Sequence, residues 1–226
     1  MFEPITSEIF QVGGPSLTSP NDAALYLIRI GDHGALVDAG CEHNPDRLLE
    51  NIASCGLLTE QIEYLLITHC HIDHVGGAMA IRELTGCRTV AHERDAVFLE
   101  TGDNAVTAAD WYGKRVTPCP VDCKLRGDQA EIILAGRRIE AIHTPGHSPG
   151  SLVYLVESDG NRVLFAQDVH GPLHPILRSD QNDYIASLKR IIAMDADILC
   201  EGHFGIYRGK EKVRRFLESF MSIPQV

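Results

Sequence analysis

The segment THCHIDHVGG, residues 68–77, places four side chains of metal-ligand type within six residues. In an extended segment side-chain direction repeats every two residues, so His69 and His71 point the same way. Asp73 and His74 then reach a neighbouring position. Imidazole and carboxylate groups at such spacing are typical ligands of zinc. The segment therefore predicts one loop that serves two adjacent metal ions.

This segment follows a predicted buried strand. Residues 63–68 (EYLLIT) form a short apolar run of that type. Beyond Gly77, the apolar residues Met79, Ile81 and Leu84 indicate a helix, and residues 88–91 are typical of a short strand. This order predicts a βαβ unit with the histidines at the end of its first strand.

The residues before this unit predict an antiparallel meander and then a helix. The predicted strands are residues 8–12, 24–30 and 35–40, and a Gly-Asp-His-Gly turn separates the last two. Asn44 and Pro45 supply an N-cap and a first-turn proline for a helix through Ile52, which Gly56 can close. The fold thus changes from antiparallel strands to alternating strands and helices.

The second half continues this alternation. The predicted strands are residues 130–134, 138–142, 151–156, 162–165 and 197–200, and the predicted helices are residues 184–193 and 210–220. Residues 92–128 are interpreted as an insertion near the site, with helices over 95–100 and 105–111. Strands separated by helices in both halves predict two sheets that share one core, with helices outside. Because no linker or low-complexity tract interrupts the chain, one domain is expected over 1–226.

Three further ligand-type residues each follow an apolar strand pattern. They are His147 in HTPGHSPGS, Asp168 in VLFAQD and His203 in ILCEGH. Each one alone is equally well explained as a turn or capping residue. Active-site groups gather at strand ends, so the recurrence of this context predicts that all three join the histidine-rich loop.

The chain resembles the metallo-β-lactamase superfamily over nearly its whole length. The His-x-His-x-Asp-His signature at 69–74 is followed in order by a later His, an Asp and a final His. The segments VDAG (37–40) and TPGHSPGS (144–151) are similar to further elements of that family. The resemblance implies an α/β fold, a four-layer αββα sandwich in which two mixed β-sheets are flanked by helices.

The resemblance also implies how the ligands divide between two divalent metal ions. The implied ligands of the first metal are His69, His71 and His147, those of the second metal are Asp73, His74 and His203, and the implied bridge between the metals is Asp168. Zinc is the expected metal, with iron or manganese as alternatives, because imidazole and carboxylate suit all three. A bridging Asp is similar to the thioesterase, lactonase and phosphodiesterase branches, whereas the true β-lactamases lack it.

Three residues near the ligands have other expected roles. Asp38 is similar to a family residue that supports the ligand loop, and a simple turn role is the alternative. His143 is expected to support the ligands or to lie in the core. Cys70, which faces away from its two histidine neighbours, is expected to be a small buried apolar group.

The predicted chemistry is hydrolysis of an ester-like bond in a thioester, a lactone or a related acyl substrate. Two close divalent metals lower the pKa of a shared water from about 15.7 to about 7, which supplies hydroxide at neutral pH. Asp73 is the expected catalytic residue, because it could orient this hydroxide and accept its proton. Hydroxyacylglutathione hydrolases carry a C-terminal helical extension, but only 23 residues follow His203. Some lactonases of the family have a Tyr where this chain has Gly171.

Other activities within the resemblance remain alternatives. The persulfide dioxygenases are similar to this pattern but hold one iron at positions that match His69, His147 and Asp168. Flavin-linked diiron reductases have Glu where this chain has His71, and they carry a further domain. Phosphodiesterase or nuclease activity and a non-catalytic metal-binding scaffold are the remaining alternatives.

Composition indicates which partners to expect. The net charge of −11 disfavours a phosphate-backbone grip, so a small-molecule substrate is expected rather than nucleic acid. No stretch approaches 18 apolar residues and no signal-peptide pattern is present, so a cytoplasmic protein without a membrane partner is expected, with a homodimer as an option. The seven cysteines lack framework spacing, which is typical of reduced thiols.

The candidate substrate-pocket residues are Trp111, Tyr112, His170, His174, Arg178, Phe204 and Tyr207.

Overall fold

Two mixed β-sheets pack face to face in this computed structural model, which describes residues 1–41 and 45–221. The first sheet has its seven strands in chain order: β1 (Glu3–Pro4), β2 (Ile9–Gly13), β3 (Leu25–Ile30), β4 (His33–Val37), β5 (Ile62–Leu66), β6 (Arg88–His92) and β7 (Cys123–Leu125). Strands β1 to β4 are antiparallel, and β4 to β7 are parallel. The predicted meander and βαβ unit are confirmed.

The second sheet contains the strands of the C-terminal half. Its strands, in chain order, are β8 (Gln129–Leu134), β9 (Arg137–His143), β10 (Leu152–Ser158), β11 (Asn161–Phe165), β12 (Ile198–Cys200) and β13 (Ile206–Arg208). Only β11 and β12 pair in parallel; the other neighbours are antiparallel. Strands β1, β7 and β13 are short, and the apolar patterns did not predict them.

Helices cover both outer faces. They are α1 (Asp46–Ser54), α2 (Ile72–Val75), α3 (Ala78–Thr85), α4 (Glu93–Thr101), α5 (Gln181–Ala193) and α6 (Lys210–Glu218). Helices α1, α3 and α4 pack on the first sheet, and α5 and α6 on the second. Asn44, the predicted cap of α1, lies outside the described residues, and the helix begins after Pro45.

Side chains that alternate along each strand pack into two different layers, one under the outer helices and one between the two sheets. In β3, Leu25 and Leu27 face the helices, whereas Tyr26 and Ile28 face the core between the sheets. In a strand, successive side chains point to opposite faces, so one apolar strand joins two layers. The predicted four-layer αββα sandwich is confirmed. No helix within the described part of the chain is long and apolar enough to cross a membrane.

The segment 92–128 differs from its prediction. A single helix over 105–111 was expected, but residues 104–108 form turns and a 3₁₀ helix spans Ala109–Tyr112. Ala108 has a φ of 58°, a left-handed conformation that breaks a continuous α-helix. The interpretation of this segment as an insertion, and of the chain as one domain, stays a prediction.

Candidate metal centre

The structure brings all seven predicted ligands together at one edge of the two sheets. They form two groups that share Asp168: the first group is His69, His71, His147 and Asp168, and the second group is Asp73, His74, His203 and Asp168. Within each group the ligand atoms lie within 4.8 Å of one another. The residues follow β5, β9, β11 and β12, so ends of strands from both sheets build the site.

Asp168 directs one carboxylate oxygen to each group. Its Oδ2 lies 3.4 Å from His147 Nε2 and 3.7 Å from His69 Nε2. Its Oδ1 lies 3.3 Å from His74 Nε2 and 3.2 Å from His203 Nε2. A carboxylate placed in this way has the geometry of a bridge between two ions.

The buried polar atoms of the site fit a divalent metal. Within the described residues, no hydrogen bond reaches the Nε2 atoms of His69, His71, His74 and His147 or the Oδ1 atom of Asp168. Buried polar atoms are nearly always paired in folded proteins. A set of nitrogen and carboxylate donors that converges without other partners is suited to zinc or a similar ion. The residues present therefore fit the implied metals, and their assignment as ligands stays a prediction.

Burial and charge set the protonation of the two groups differently. Burial lowers the pKa values of His69 and His71 well below the usual value, so both imidazoles are neutral, as ligation requires. Burial alone would raise the pKa of Asp168, but His74 and the other histidines beside it lower that pKa well below normal. Burial opposes protonation of His203, yet the adjacent carboxylates of Asp168 and Asp73 raise its pKa to about 10.

The ligand loop changes conformation between its two halves. It is extended through His71, whose ψ is 149°, and α2 begins at the next residue. The N–H of Ile72 donates to the carbonyl of Thr107 at 2.8 Å, which ties this turn to the 92–128 segment. The sequence correctly placed His69 and His71 on one side. It did not predict the helical turn that carries Asp73 and His74 to the other side.

Asp38 supports the second group, as the resemblance implied. It is fully buried, and its carboxylate accepts hydrogen bonds from the N–H of Thr68 at 2.8 Å and from the hydroxyl at 2.7 Å. Its Oδ2 also accepts from Nδ1 of His74 at 2.8 Å. Since Nδ1 of His74 is directed at Asp38, Nε2 is the ring nitrogen that faces the site. Nδ1 of His147 is fixed similarly, 2.9 Å from the carbonyl of Pro172.

Asp95 supports the first group and was not singled out in the sequence. It lies on α4, almost fully buried, and its carboxylate accepts from the N–H of Cys70 at 3.0 Å and of Gly150 at 2.6 Å. The hydroxyl of Ser148 donates to it at 2.5 Å. Asp95 thus joins the loop that carries His69 and His71 to the loop that carries His147.

Glu201 is a third buried carboxylate that supports the predicted ligands, after Asp38 and Asp95, and sequence reasoning also missed it. Its Oε2 accepts from the N–H groups of His203 at 2.6 Å and Phe204 at 2.8 Å. Its Oε1 lies 2.7 Å from Nδ1 of His170. Glu201 therefore fixes the loop after β12 and orients the imidazole of His170. Its position in the ILCEGH segment was the available signal.

A cleft opens onto the two groups. Trp111, Tyr112 and His170 line it, as predicted. The Tyr112 hydroxyl donates to the Asp73 carboxylate, and burial together with that carboxylate raises the tyrosine pKa, so the phenol stays neutral. The 92–128 segment therefore contributes directly to the wall of the site.

The other predicted pocket residues lie at the rim of the cleft or away from it. His174 contacts the Trp111 ring at 5.3 Å, and Phe204 contacts the His170 ring at 4.9 Å, so both lie at the rim. Two predictions do not agree with the lining of the cleft. Tyr207 stacks on Phe216 at 4.1 Å beside α6, and the Arg178 guanidinium lies 4.8 Å above the Phe98 ring.

His143 takes a supporting role rather than a place among the ligands. Its ring stacks on that of His92 at 3.8 Å with an angle of 4° between the planes. Its Nε2 lies 2.9 Å from the carbonyl of Pro149, in the loop that carries His147. Burial lowers the pKa of His92 to about 4, and the adjacent His143 adds to this effect. The stacked pair of His92 and His143 thus supports the loop that carries His147 of the first group.

Comparison with known proteins identifies the family. The model of the metallo-β-lactamase superfamily matches residues 20–203. The acyl-coenzyme A thioesterase MBLAC2 of Gallus gallus is 27% identical and aligns with 97% of this chain and 86% of its own length. The hydroxyacylglutathione hydrolase of Aeromonas hydrophila is 29% identical over 82% of this chain. The chain spans only 62 to 65% of the length of that hydrolase and of two other curated relatives it matches.

A solved structure supports the same assignment at the level of the fold. A metallo-β-lactamase of Cronobacter sakazakii, a mutant in its HARLDQ motif, superposes with a TM-score of 0.81 at 23% identity and covers 97% of this chain and 93% of its own. The chain belongs to the metallo-β-lactamase superfamily. The prediction of a metal-dependent hydrolase is confirmed at the level of this class.

Proposed function

We propose that the protein is a dinuclear hydrolase that cleaves the ester-like bond of an acyl substrate, a thioester, a lactone or a related compound. The observation that carries the proposal is the position of Asp168, whose two oxygens face the two groups separately. We also propose that zinc occupies both groups, with Asp168 as the shared ligand. A mononuclear iron oxygenase would need only His69, His147 and Asp168.

The chain's own residues account for the remaining parts of such a reaction. Bound divalent metals supply Lewis acidity, which activates water and polarises a carbonyl. Asp73 borders the cleft, and although burial opposes ionisation, His74 and His203 lower its pKa, so it is an ionised carboxylate able to orient water and accept its proton. The neutral Tyr112 hydroxyl, which donates to Asp73, holds that carboxylate in one orientation.

The names of the relatives agree with acyl chemistry. One relative is named an acyl-coenzyme A thioesterase and another a hydroxyacylglutathione hydrolase, and both names describe cleavage of a thioester. The cleft is a concave site with aromatic side chains beside a few polar groups, which supports a small-molecule substrate rather than nucleic acid or a membrane. A cytoplasmic location and a homodimer stay predictions.

The experiment compares zinc-loaded and iron-loaded protein on thioesters, lactones and a persulfide while an oxygen electrode records oxygen. We expect the zinc form to cleave an acyl substrate without oxygen uptake, because zinc has no redox chemistry. Oxygen consumption with iron and persulfide, together with no acyl cleavage by either form, would contradict the proposal.

A further inference from the structure

Large apolar side chains are exposed at the mouth of the metal cleft. Trp111 is 51% exposed and Phe204 is 56% exposed, and Tyr112 is also open to solvent. Isolated exposed apolar residues are normal on a protein surface, but a cluster beside a reactive centre indicates a binding surface. We call these three side chains the aromatic rim.

Neighbouring groups hold the aromatic rim in place. On one side, Trp111 meets the His174 ring at 89°, and the Ile176 N–H donates to Nδ1 of that histidine at 3.2 Å. On the other side, Phe204 packs against the His170 ring, which Glu201 orients. Rings that are already fixed lose little conformational entropy when a ligand binds between them.

Within the described part of the chain, the cleft offers no cationic side chain that could pair with a charged end of an acyl chain. Among the described residues that line it, none is Lys or Arg, and the carboxylates are Asp73 and Asp168. Arg178 was the sequence candidate for an anion partner, but its guanidinium lies over Phe98. The net charge of −11 also disfavours a carboxylate at the outer end of an acyl chain, where that end reaches the protein surface.

We propose that the aromatic rim binds the uncharged, apolar acyl chain of the substrate. This inference rests on the proposed function, since it names the acyl class that the same site hydrolyses. The scissile carbonyl lies over the two ligand groups, and the chain runs outward between Trp111 and Phe204. Full burial of one methylene strengthens binding about fourfold, so partial burial at an open mouth gives about twofold per methylene.

Direct binding tests the aromatic rim without turnover, because Trp111 is the only tryptophan in the chain. The probes are two uncleavable thioethers of N-acetylcysteamine, one with an octyl chain and one with the same chain ending in a carboxylate. We expect the octyl probe to shift Trp111 emission to shorter wavelength and to bind about tenfold more tightly than the carboxylate probe. Equal affinity, or no emission shift, would overturn the inference.

A chain-length series then tests specificity. For N-acetylcysteamine thioesters from acetyl to octanoyl, we expect kcat/KM to rise about twofold per methylene, and Trp111→Ala or Phe204→Ala to flatten this rise. The control is Ile133→Ala, since Ile133 is 51% exposed on β8 outside the cleft lining, and it should keep the wild-type slope. If the wild type turned over all these thioesters well and its kcat/KM did not change with chain length, the aromatic rim would not bind the acyl chain. If the octyl probe bound but none of the thioesters was cleaved, the proposal for the aromatic rim would be supported and the proposed hydrolase function would be contradicted.

Discussion

The two groups of the candidate metal centre are built differently although they share Asp168. The first group consists otherwise of three buried histidines, and the pKa values of His69 and His71 are lowered by burial. The second group adds the carboxylate of Asp73, and the His203 side chain is 30% exposed. The difference indicates a more deeply buried group of imidazoles and a more exposed group in which a carboxylate joins the imidazoles.

The supports of the two groups differ in the same way. Asp95 receives hydrogen bonds mainly from the backbone and so fixes the loops of the first group. Asp38 contacts a ligand imidazole directly and so fixes the ring of His74. One carboxylate therefore positions main chain and the other positions a side chain.

The largest effect is expected from Asp168→Ala, because this change removes a ligand from both groups. Loss of transition-state stabilisation by several kcal/mol should lower kcat/KM at least about a thousandfold. Elemental analysis of the variant should show loss of metal from both groups. His174→Ala, at the rim, should have a much smaller effect. Near-normal activity and metal content in Asp168→Ala would show that the bridge is wrongly assigned.

A matched pair of variants, Asp95→Asn and Asp38→Asn, should weaken metal binding at different groups. Loss of such supporting contacts typically lowers metal affinity about 10- to 100-fold. Competition with a chelator, followed by the absorption of bound cobalt, would report the two affinities separately. We expect Asp95→Asn to affect the first group and Asp38→Asn the second. If both variants weakened both groups equally, the carboxylates would act on the fold as a whole.

The sequence located the residues of the two groups, which the structure brings together, much better than it located the carboxylates that support them. The four ligand-type residues of segment 69–74 form a local motif, and the other three predicted ligands each follow an apolar strand. The linear sequence was therefore enough to find them. Asp95 lies in AHERDA, where its position is typical of an exposed helix face. It is buried only because two loops distant in sequence fold over α4. Likewise, the break at Ala108 depends on a backbone conformation that no apolar period reveals.

A smaller effect is expected from His92, which lies beside the first group and whose protonation should lower the stability of the protein in acid. The pKa of His92 is lowered to about 4, against about 6.5 in an unfolded chain, so between these values the unfolded state binds more protons. The free energy of unfolding should therefore fall by about 2 kcal/mol between pH 7.5 and pH 5, because one pKa unit corresponds to about 1.4 kcal/mol. His92→Asn, which keeps a capping side chain before α4, should remove this part of the loss.

Urea unfolding at the two pH values measures this difference. Ile133→Ala, a substitution of an exposed residue on β8 that has no titratable group, provides the control and should keep the pH dependence of the wild type. If His92→Asn and the wild type had an identical pH dependence, the lowered pKa of His92 would not contribute to acid stability, and this prediction would be wrong.

Metal stoichiometry tests the central claim most directly. Protein saturated with zinc and freed of loosely bound ions should contain two metals per chain by elemental analysis. His69→Ala and His203→Ala should each retain one, and cobalt spectra of the two variants should differ, because different groups remain. Saturation of the wild type at one metal, or identical spectra for the two variants, would contradict the claim that two distinct groups share Asp168.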